Sequence, residues 1–192
     1  FYEKILARNV LLTRSPGANA PEVAEFVFAV LLRTVKKLDK LYRQQQDRCW
    51  RRIELDGLNN KTILVIGVGE VGGRVAKIAK AFGMYVLGIR KNRGNRPNID
   101  EIGTLDDFAE FLPRADIVVL SLPLSPAVFH LFDVAQFQAM KEKSILINIA
   151  RGQIINIEAL RTALIEKPDF QACLDVMPCE PWPAEDRLWQ CP

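Results

Sequence analysis

From Lys61 onward, short unbroken apolar runs alternate with stretches whose apolar residues recur every three or four positions. An unbroken run rich in β-branched residues suits a strand buried on both faces; the wider spacing suits a helix with one buried face. The pattern predicts strands over 61–66, Tyr85–Ile89, Ile117–Leu122, Ser144–Ile149 and Phe170–Leu174. It predicts helices over 70–82, Leu105–Phe111, Asp133–Met140 and about Asn156–Glu166. Such alternation argues for an α/β fold, an open parallel sheet wound on both faces.

The first sixty residues follow another pattern. Asn9–Thr13 resembles the end of a strand, broken by Ser15-Pro16-Gly17. One long helix is expected from about Pro21 to Arg43, with Asn19 as N-cap and Pro21 and Glu22 in the first turn. Its apolar face is Val23, Phe26, Val27, Val30, Leu31, Val35, Leu38 and Leu41. Gln44–Asn60 is polar and irregular, with Trp50 as the expected buried anchor. Arg90–Ile99 is a loop rich in Arg, Asn, Gly and Pro, and the tail from Pro178 is proline-rich and irregular.

Ligands of doubly wound sheets bind outside the carboxyl ends of the strands. That rule selects Gly67–Gly72, Arg90 with its loop, Ser121–Ser125, Asn148–Gly152 and Asp175–Glu180. Gly67-Val68-Gly69-Glu70-Val71-Gly72 stands between a strand and a helix, as a dinucleotide fingerprint requires. Gly67 permits the tight turn, Gly69 lets the backbone approach a pyrophosphate, and Gly72 lets helix and strand pack closely. The free N–H groups of the helix start, where Glu70 and Val71 stand, and the positive dipole end face the phosphates. The plainer alternative is a glycine turn that serves the fold alone.

The bulk composition adds exclusions. The chain has 192 residues, 49% hydrophobic and 26% charged, which suits a globular protein with a sizeable core. Net charge is +3 with no long basic cluster, so no nucleic-acid partner is expected. No apolar run reaches the ~18–20 residues of a membrane span, so no membrane partner is expected either. Cys49, Cys173, Cys179 and Cys191 show no CxxC spacing and suggest reduced thiols and a cytoplasmic location. With His130 as the one histidine and no Cys/His cluster, no metal site is expected.

The ordered set of motifs resembles the D-isomer-specific 2-hydroxyacid dehydrogenases over nearly the whole chain. It runs from Asn19-Ala20-Pro21-Glu22-Val23-Ala24-Glu25 through the glycine turn and Gly73-Arg74 to Leu122-Pro123-Leu124. Asn148-Ile149-Ala150-Arg151-Gly152, Leu174-Asp175-Val176 and Glu180-Pro181 complete it. The resemblance implies a Rossmann-like, doubly wound cofactor domain at 61–180 and an interdomain helix and connecting arm at 17–60. It leaves 1–16 as the end of a flavodoxin-like substrate domain and 181–192 as the start of the return segment, so that only stubs of that domain are expected.

The resemblance also implies site roles. Arg151 holds the carboxylate and carbonyl of a 2-keto acid, a role that suits a guanidinium fork. Glu180 pairs with a catalytic histidine, and Asp175 lies beside the nicotinamide carboxamide. Leu122 and Pro123 lie beneath a ribose, and Ile149 and Ala150 belong to the cofactor-side segment. Plainer alternatives are a surface arginine at Arg151, an exposed loop acid at Glu180, a strand-end cap at Asp175 and a simple strand terminator at Pro123.

Two departures qualify the resemblance. The family's general acid lies in a Pro-His motif after the Glu-Pro segment; His130 does not match that position. These 192 residues alone are expected to bind cofactor with negligible turnover. Second, NAD-dependent members place an acidic residue after the second strand, for the ribose 2′-hydroxyl. Here Arg90-Lys91-Asn92-Arg93 stands at that position. Arg90 with Lys91 or Arg93 suits a 2′-phosphate, so NADP(H) is the expected cofactor, with NAD(H) as the alternative. The expected activity is reduction of a small 2-keto acid, glyoxylate- or hydroxypyruvate-like, to a D-2-hydroxy acid by a homodimer. The competing reading is a nucleotide-sensing, corepressor-type binding protein on the same fold, without significant turnover.

Overall fold

The computed structural model describes Thr13 and Ser15–Cys191. Six strands form one parallel sheet: β1 (Thr62–Ile66), β2 (Tyr85–Ile89), β3 (Glu101–Gly103), β4 (Ile117–Leu120), β5 (Ile145–Asn148) and β6 (Gln171–Leu174). Their order is β3-β2-β1-β4-β5-β6. Parallel neighbours need crossover connections. α3 (Glu70–Ala81) joins β1 to β2, and α4 (Phe108–Phe111) lies between β3 and β4. α5 (Val134–Ala139) joins β4 to β5, and α6 (Ile157–Glu166) joins β5 to β6. α1 (Ala20–Val35) and α2 (Leu38–Gln46) precede the sheet.

Alternate residues of each central strand serve two cores. Ile63 and Val65 of β1 pack with Val27, Leu31, Val75 and Ala79 of α1 and α3. Leu64 and Ile66 face the other way, into a core with Phe108, Phe137, Leu160 and Leu164 of α4, α5 and α6. All four β1 residues are fully buried, which is why their run is unbroken in apolar character. The expected doubly wound α/β fold is therefore present, and α1 belongs to its packing.

Several expected boundaries shift. The single helix over Pro21–Arg43 is two helices, broken where Lys37 takes a left-handed conformation at φ 49°. The apolar spacing continues through Leu38 and Leu41 and so masks the break, yet α2 buries none of its residues. Lys36 at the break donates from Nζ to the Asp56 carbonyl at 2.7 Å. Trp50 is not a buried anchor: it is fully exposed. Asn19 stands at the N-cap position without a side-chain cap bond, and Pro21 lies in the first turn.

Strand β3 was absent from the periodic pattern because it is a three-residue edge strand with two half-buried positions, paired only to β2. The helix expected over Leu105–Phe111 opens as a 3-10 turn, Leu105–Asp107, capped by Thr104. β4 ends at Leu120, two residues early, because Ser121-Leu122-Pro123 leaves the sheet. The tail carries one 3-10 turn, Arg187–Gln190. The strand end expected over Asn9–Thr13 lies outside the described residues except for Thr13. Among the described residues no helix is long and apolar enough to cross a membrane.

Candidate active site

All six strands are parallel, so their carboxyl ends share one edge, and the strand order reverses between β1 and β4. The selected segments all leave the sheet along that edge. The glycine turn lies at the reversal itself. Gly67 has φ +100°, and a Cβ there would stand 2.7 Å from Ser121 and Leu122 backbone atoms. Gly72 is buried, and a Cβ on it would strike the Gly67 carbonyl oxygen. Ser121 Oγ donates to that same carbonyl at 2.8 Å, tying the β4 exit to the turn.

Gly69 is different. It is the N-cap of α3, in extended conformation and without a side-chain cap bond, and a Cβ there would meet nothing within 4 Å. Open space thus lies in front of a twelve-residue helix whose first amides lack intrahelical partners. The Glu70 side chain lies against Gly17, and Val71 is half-buried against the core. This cradle fits a pyrophosphate: it combines close backbone approach, free donors and the positive helix end.

The exit from β2 carries the basic loop. Arg90 is half-buried, its amide donating to the Gly103 carbonyl at 3.0 Å, and Lys91 is exposed. Neither has a carboxylate partner among the described residues. Arg93 is drawn away to Asp107, with Nη2 donating at 2.7 Å and 2.9 Å. The Thr104 amide and the Arg93 guanidinium hold the Asp107 carboxyl below its ordinary range. The loop therefore leaves Arg90 and Lys91 without a carboxylate partner among the described residues and uses Arg93 as its tether.

Beyond β4, Leu122 is half-buried against the core and Pro123 is exposed. Beyond β5, Asn148 is completely buried and builds the turn. Its Oδ1 accepts the Ala150 amide and its Nδ2 donates to the Arg151 carbonyl, each at 3.0 Å. Ala150 consequently points its methyl into the core, and Ile149 is half-buried, so both serve as framework. Arg151 is exposed; its Nη1 donates to the Ala150 carbonyl at 2.6 Å.

Beyond β6, the Asp175 amide donates to the Asn148 carbonyl at 3.0 Å, and its side chain is exposed. Glu180 is exposed as well, with Oε1 accepting the Met177 amide at 3.0 Å. Arg151 and Glu180, from different loops, line one cleft of about 210 Å³ with Gly152, Gln153, Val176, Met177 and Pro178. His130 does not line this cleft: it is exposed, with φ 50°, and its ring stacks on Phe129 at 4.1 Å.

Sequence reasoning did not single out Gln153, and it placed Ser121, Asn148 and Gly152 in the selected segments without giving them a role of their own. A Cβ on Gly152 would overlap the Met177–Pro178 backbone, so this glycine is what lets the two loops meet. The signal for Asn148 was a polar residue ending an apolar run, and a buried polar side chain must have partners.

The family model described as D-isomer specific 2-hydroxyacid dehydrogenase, NAD binding domain, matches residues 28–192. A Staphylococcus saprophyticus protein named as a 2-hydroxyacid dehydrogenase is 37% identical, over 91% of this chain and 56% of its own. The glyoxylate reductase of Thermococcus gammatolerans is 32% identical, over 96% of this chain and 58% of its own. The chain thus spans little more than half the length of these relatives. A solved family member from Aeromonas salmonicida superposes with TM-score 0.87 at 35% identity, over 94% of this chain and 57% of that one. One from Xanthobacter autotrophicus, solved with NADPH, gives TM-score 0.83 at 27% identity, over 94% of this chain and 75% of that one.

Proposed function

The chain belongs to the D-isomer-specific 2-hydroxyacid dehydrogenases, as their NAD-binding domain, and from that premise we propose that its protein reduces a small 2-keto acid with NADPH. Glyoxylate or hydroxypyruvate is the substrate class, and a D-2-hydroxy acid is the product. The observation that carries this reading is the common edge: an open glycine cradle at the sheet reversal, and Arg151 and Glu180 lining one cleft at the carboxyl ends of β5 and β6. A sensor protein needs the cradle but not the cleft.

The residues divide the work. The backbone at Gly67, Gly69 and Gly72 and the first amides of α3, at Glu70 and Val71, hold the pyrophosphate. Arg90 and Lys91 bind the 2′-phosphate, while Arg93 tethers their loop. Leu122 and Pro123 support the ribose side, Ile149 and Ala150 hold the adjoining turn in register, and Asp175 offers a carboxylate to the carboxamide. The nicotinamide, when bound, supplies the hydride. Arg151 orients the keto acid, since a guanidinium meets a carboxylate and adjacent carbonyl with parallel donors. Glu180 orients and favours the protonated form of the catalytic histidine that the resemblance implies. NADPH use is supported by the basic pair at the β2 exit and by the NADPH complex of the Xanthobacter relative. All four cysteines are free thiols, which supports a cytoplasmic location.

The test is a spectrophotometric screen of the full-length protein with glyoxylate and hydroxypyruvate, using NADPH and NADH in parallel. Turnover with NADPH that Arg151→Ala lowers by about 10²–10⁴-fold supports the reading. Tight nucleotide binding with no keto-acid reduction transfers it to the sensor class.

A further inference from the structure

We propose that Gln153 is a positioning residue that locks the Glu180 loop to the Arg151 loop and thereby sets where the Glu180 carboxylate stands in the cleft. The inference rests on the reading of that cleft as a reducing site.

The base of Gln153 is rigid. The His130 amide donates to the Gln153 carbonyl at 3.0 Å, and the Phe132 amide donates to the Ile154 carbonyl at 3.0 Å. The Asn156 amide donates back to the Phe132 carbonyl at 2.8 Å, and Asn156 then caps α6. From this base the half-buried Gln153 side chain reaches across, and Nε2 donates to the Pro178 carbonyl at 3.1 Å.

At their roots the two exits are joined by the Asp175 amide and the Asn148 carbonyl, and farther out, among the described residues, the Gln153 bond is the hydrogen bond that reaches the Met177–Pro178 unit from the Arg151 loop. Gly152, beside Gln153, lets the backbones of the two loops touch, but such packing is non-directional and permits sliding. The hydrogen bond selects one register. Glu180 lies two residues beyond Pro178, and its carboxylate closes back on the Met177 amide. Its position therefore follows the Met177–Pro178 unit that Gly152 and Gln153 hold. The next segment is fixed separately: Trp189 Nε1 donates to the Pro183 carbonyl at 2.8 Å, and Arg161 donates to Asp186 at 3.0 Å and 3.1 Å. One neutral hydrogen bond is too small to support the fold and large enough to choose a loop position.

Gln153→Met in the full-length protein preserves side-chain length, adds no charge and removes the donor. Hydrogen exchange of the 176–180 peptide is expected to quicken by about fivefold to tenfold, with peptides of the sheet unchanged. Keto-acid reduction is expected to lose about tenfold in kcat with KM within about twofold, a fraction of what general acid catalysis contributes. The alkaline limb of its pH profile moves to lower pH, because a displaced Glu180 no longer favours protonation of its partner histidine. Unchanged exchange at 176–180, or an unmoved alkaline limb, overturns the proposal. If the wild-type protein reduces no keto acid, the functional reading fails while the exchange experiment still decides the lock. Gln153→Ala answers the same questions if the Met variant does not fold.

Discussion

The glycines of the turn are not equivalent, and their differences separate folding from binding. A Cβ on Gly69 meets nothing, whereas one on Gly72 meets a backbone oxygen that cannot move aside. Gly69→Ala is expected to change unfolding free energy by less than about 1 kcal/mol, the range of a weak N-cap change. It is expected to weaken dinucleotide binding by about tenfold, by filling the cradle. Gly72→Ala is expected to destabilise by about 1–3 kcal/mol, since overpacking outweighs the helix-propensity gain. Urea unfolding and calorimetric titration of the two variants read the contrast directly. Arg90 gives a similar separation for the cofactor's phosphate. Arg90→Asp is expected to weaken NADPH by about 10–100-fold while leaving NADH within about twofold, because only NADPH loses a charge-assisted partner. Equal affinity of the unmutated protein for both nucleotides, by the same calorimetry, removes the basis for NADP(H) preference.

At the scale of elements, what was legible depended on burial. β1, β2, β4 and β5 showed as apolar runs because parallel strands between two helical layers bury both faces, and β6, an edge strand with four half-buried residues, still showed through its apolar residues. β3 was invisible because an edge strand of three residues needs neither length nor apolarity. The α1–α2 break was hidden by apolar spacing that runs straight through it, and only Lys37's backbone reveals it. In the sequence the candidate site was read at Gly67 from the glycine spacing, and at Arg151 and Glu180 from the family resemblance. It was illegible at Gln153, whose task is a hydrogen bond between loops distant in sequence. The connecting arm shows the same limit. Its Asp56 carboxylate binds Lys143 at 2.9 Å and Lys61 at 3.4 Å, at the amino ends of β5 and β1. The Lys143 bond, with the Gly57 amide and Lys61 against the cost of burial, lowers its pKa to about 2 from 3.8. A carboxyl depressed on folding stabilises above its unfolded value and loses that contribution as pH falls through its folded one. Asp56→Asn is therefore expected to have a lower urea midpoint than wild type at neutral pH. The two midpoints are expected to converge as pH is lowered from 3.8 toward 2. A gap that persists there assigns the effect to packing instead.

For the whole molecule, the uneven exposure of its two ends matters. α1 turns Val27, Leu31 and Val35 into its own core, yet Phe26 remains 41% exposed on the other face. Leu38, Leu41 and Tyr42 of α2 and Trp50 and Leu55 on the arm are exposed as well. Large apolar side chains left exposed along one stretch of sequence are candidates for an interaction site. We propose that a second copy covers it, forming a homodimer through α1, α2 and the arm. Because α2 buries nothing within its own chain, Leu41→Asp tests the contact without reaching the core. Sedimentation velocity at micromolar concentration is expected to show a dimer for the wild-type protein and a monomer for Leu41→Asp. Nucleotide affinity is expected to be retained in the variant, since the cradle lies on the carboxyl edge of the sheet. A monomeric wild type assigns the face to another partner, and loss of nucleotide binding in the variant shows that the arm and the cradle are coupled.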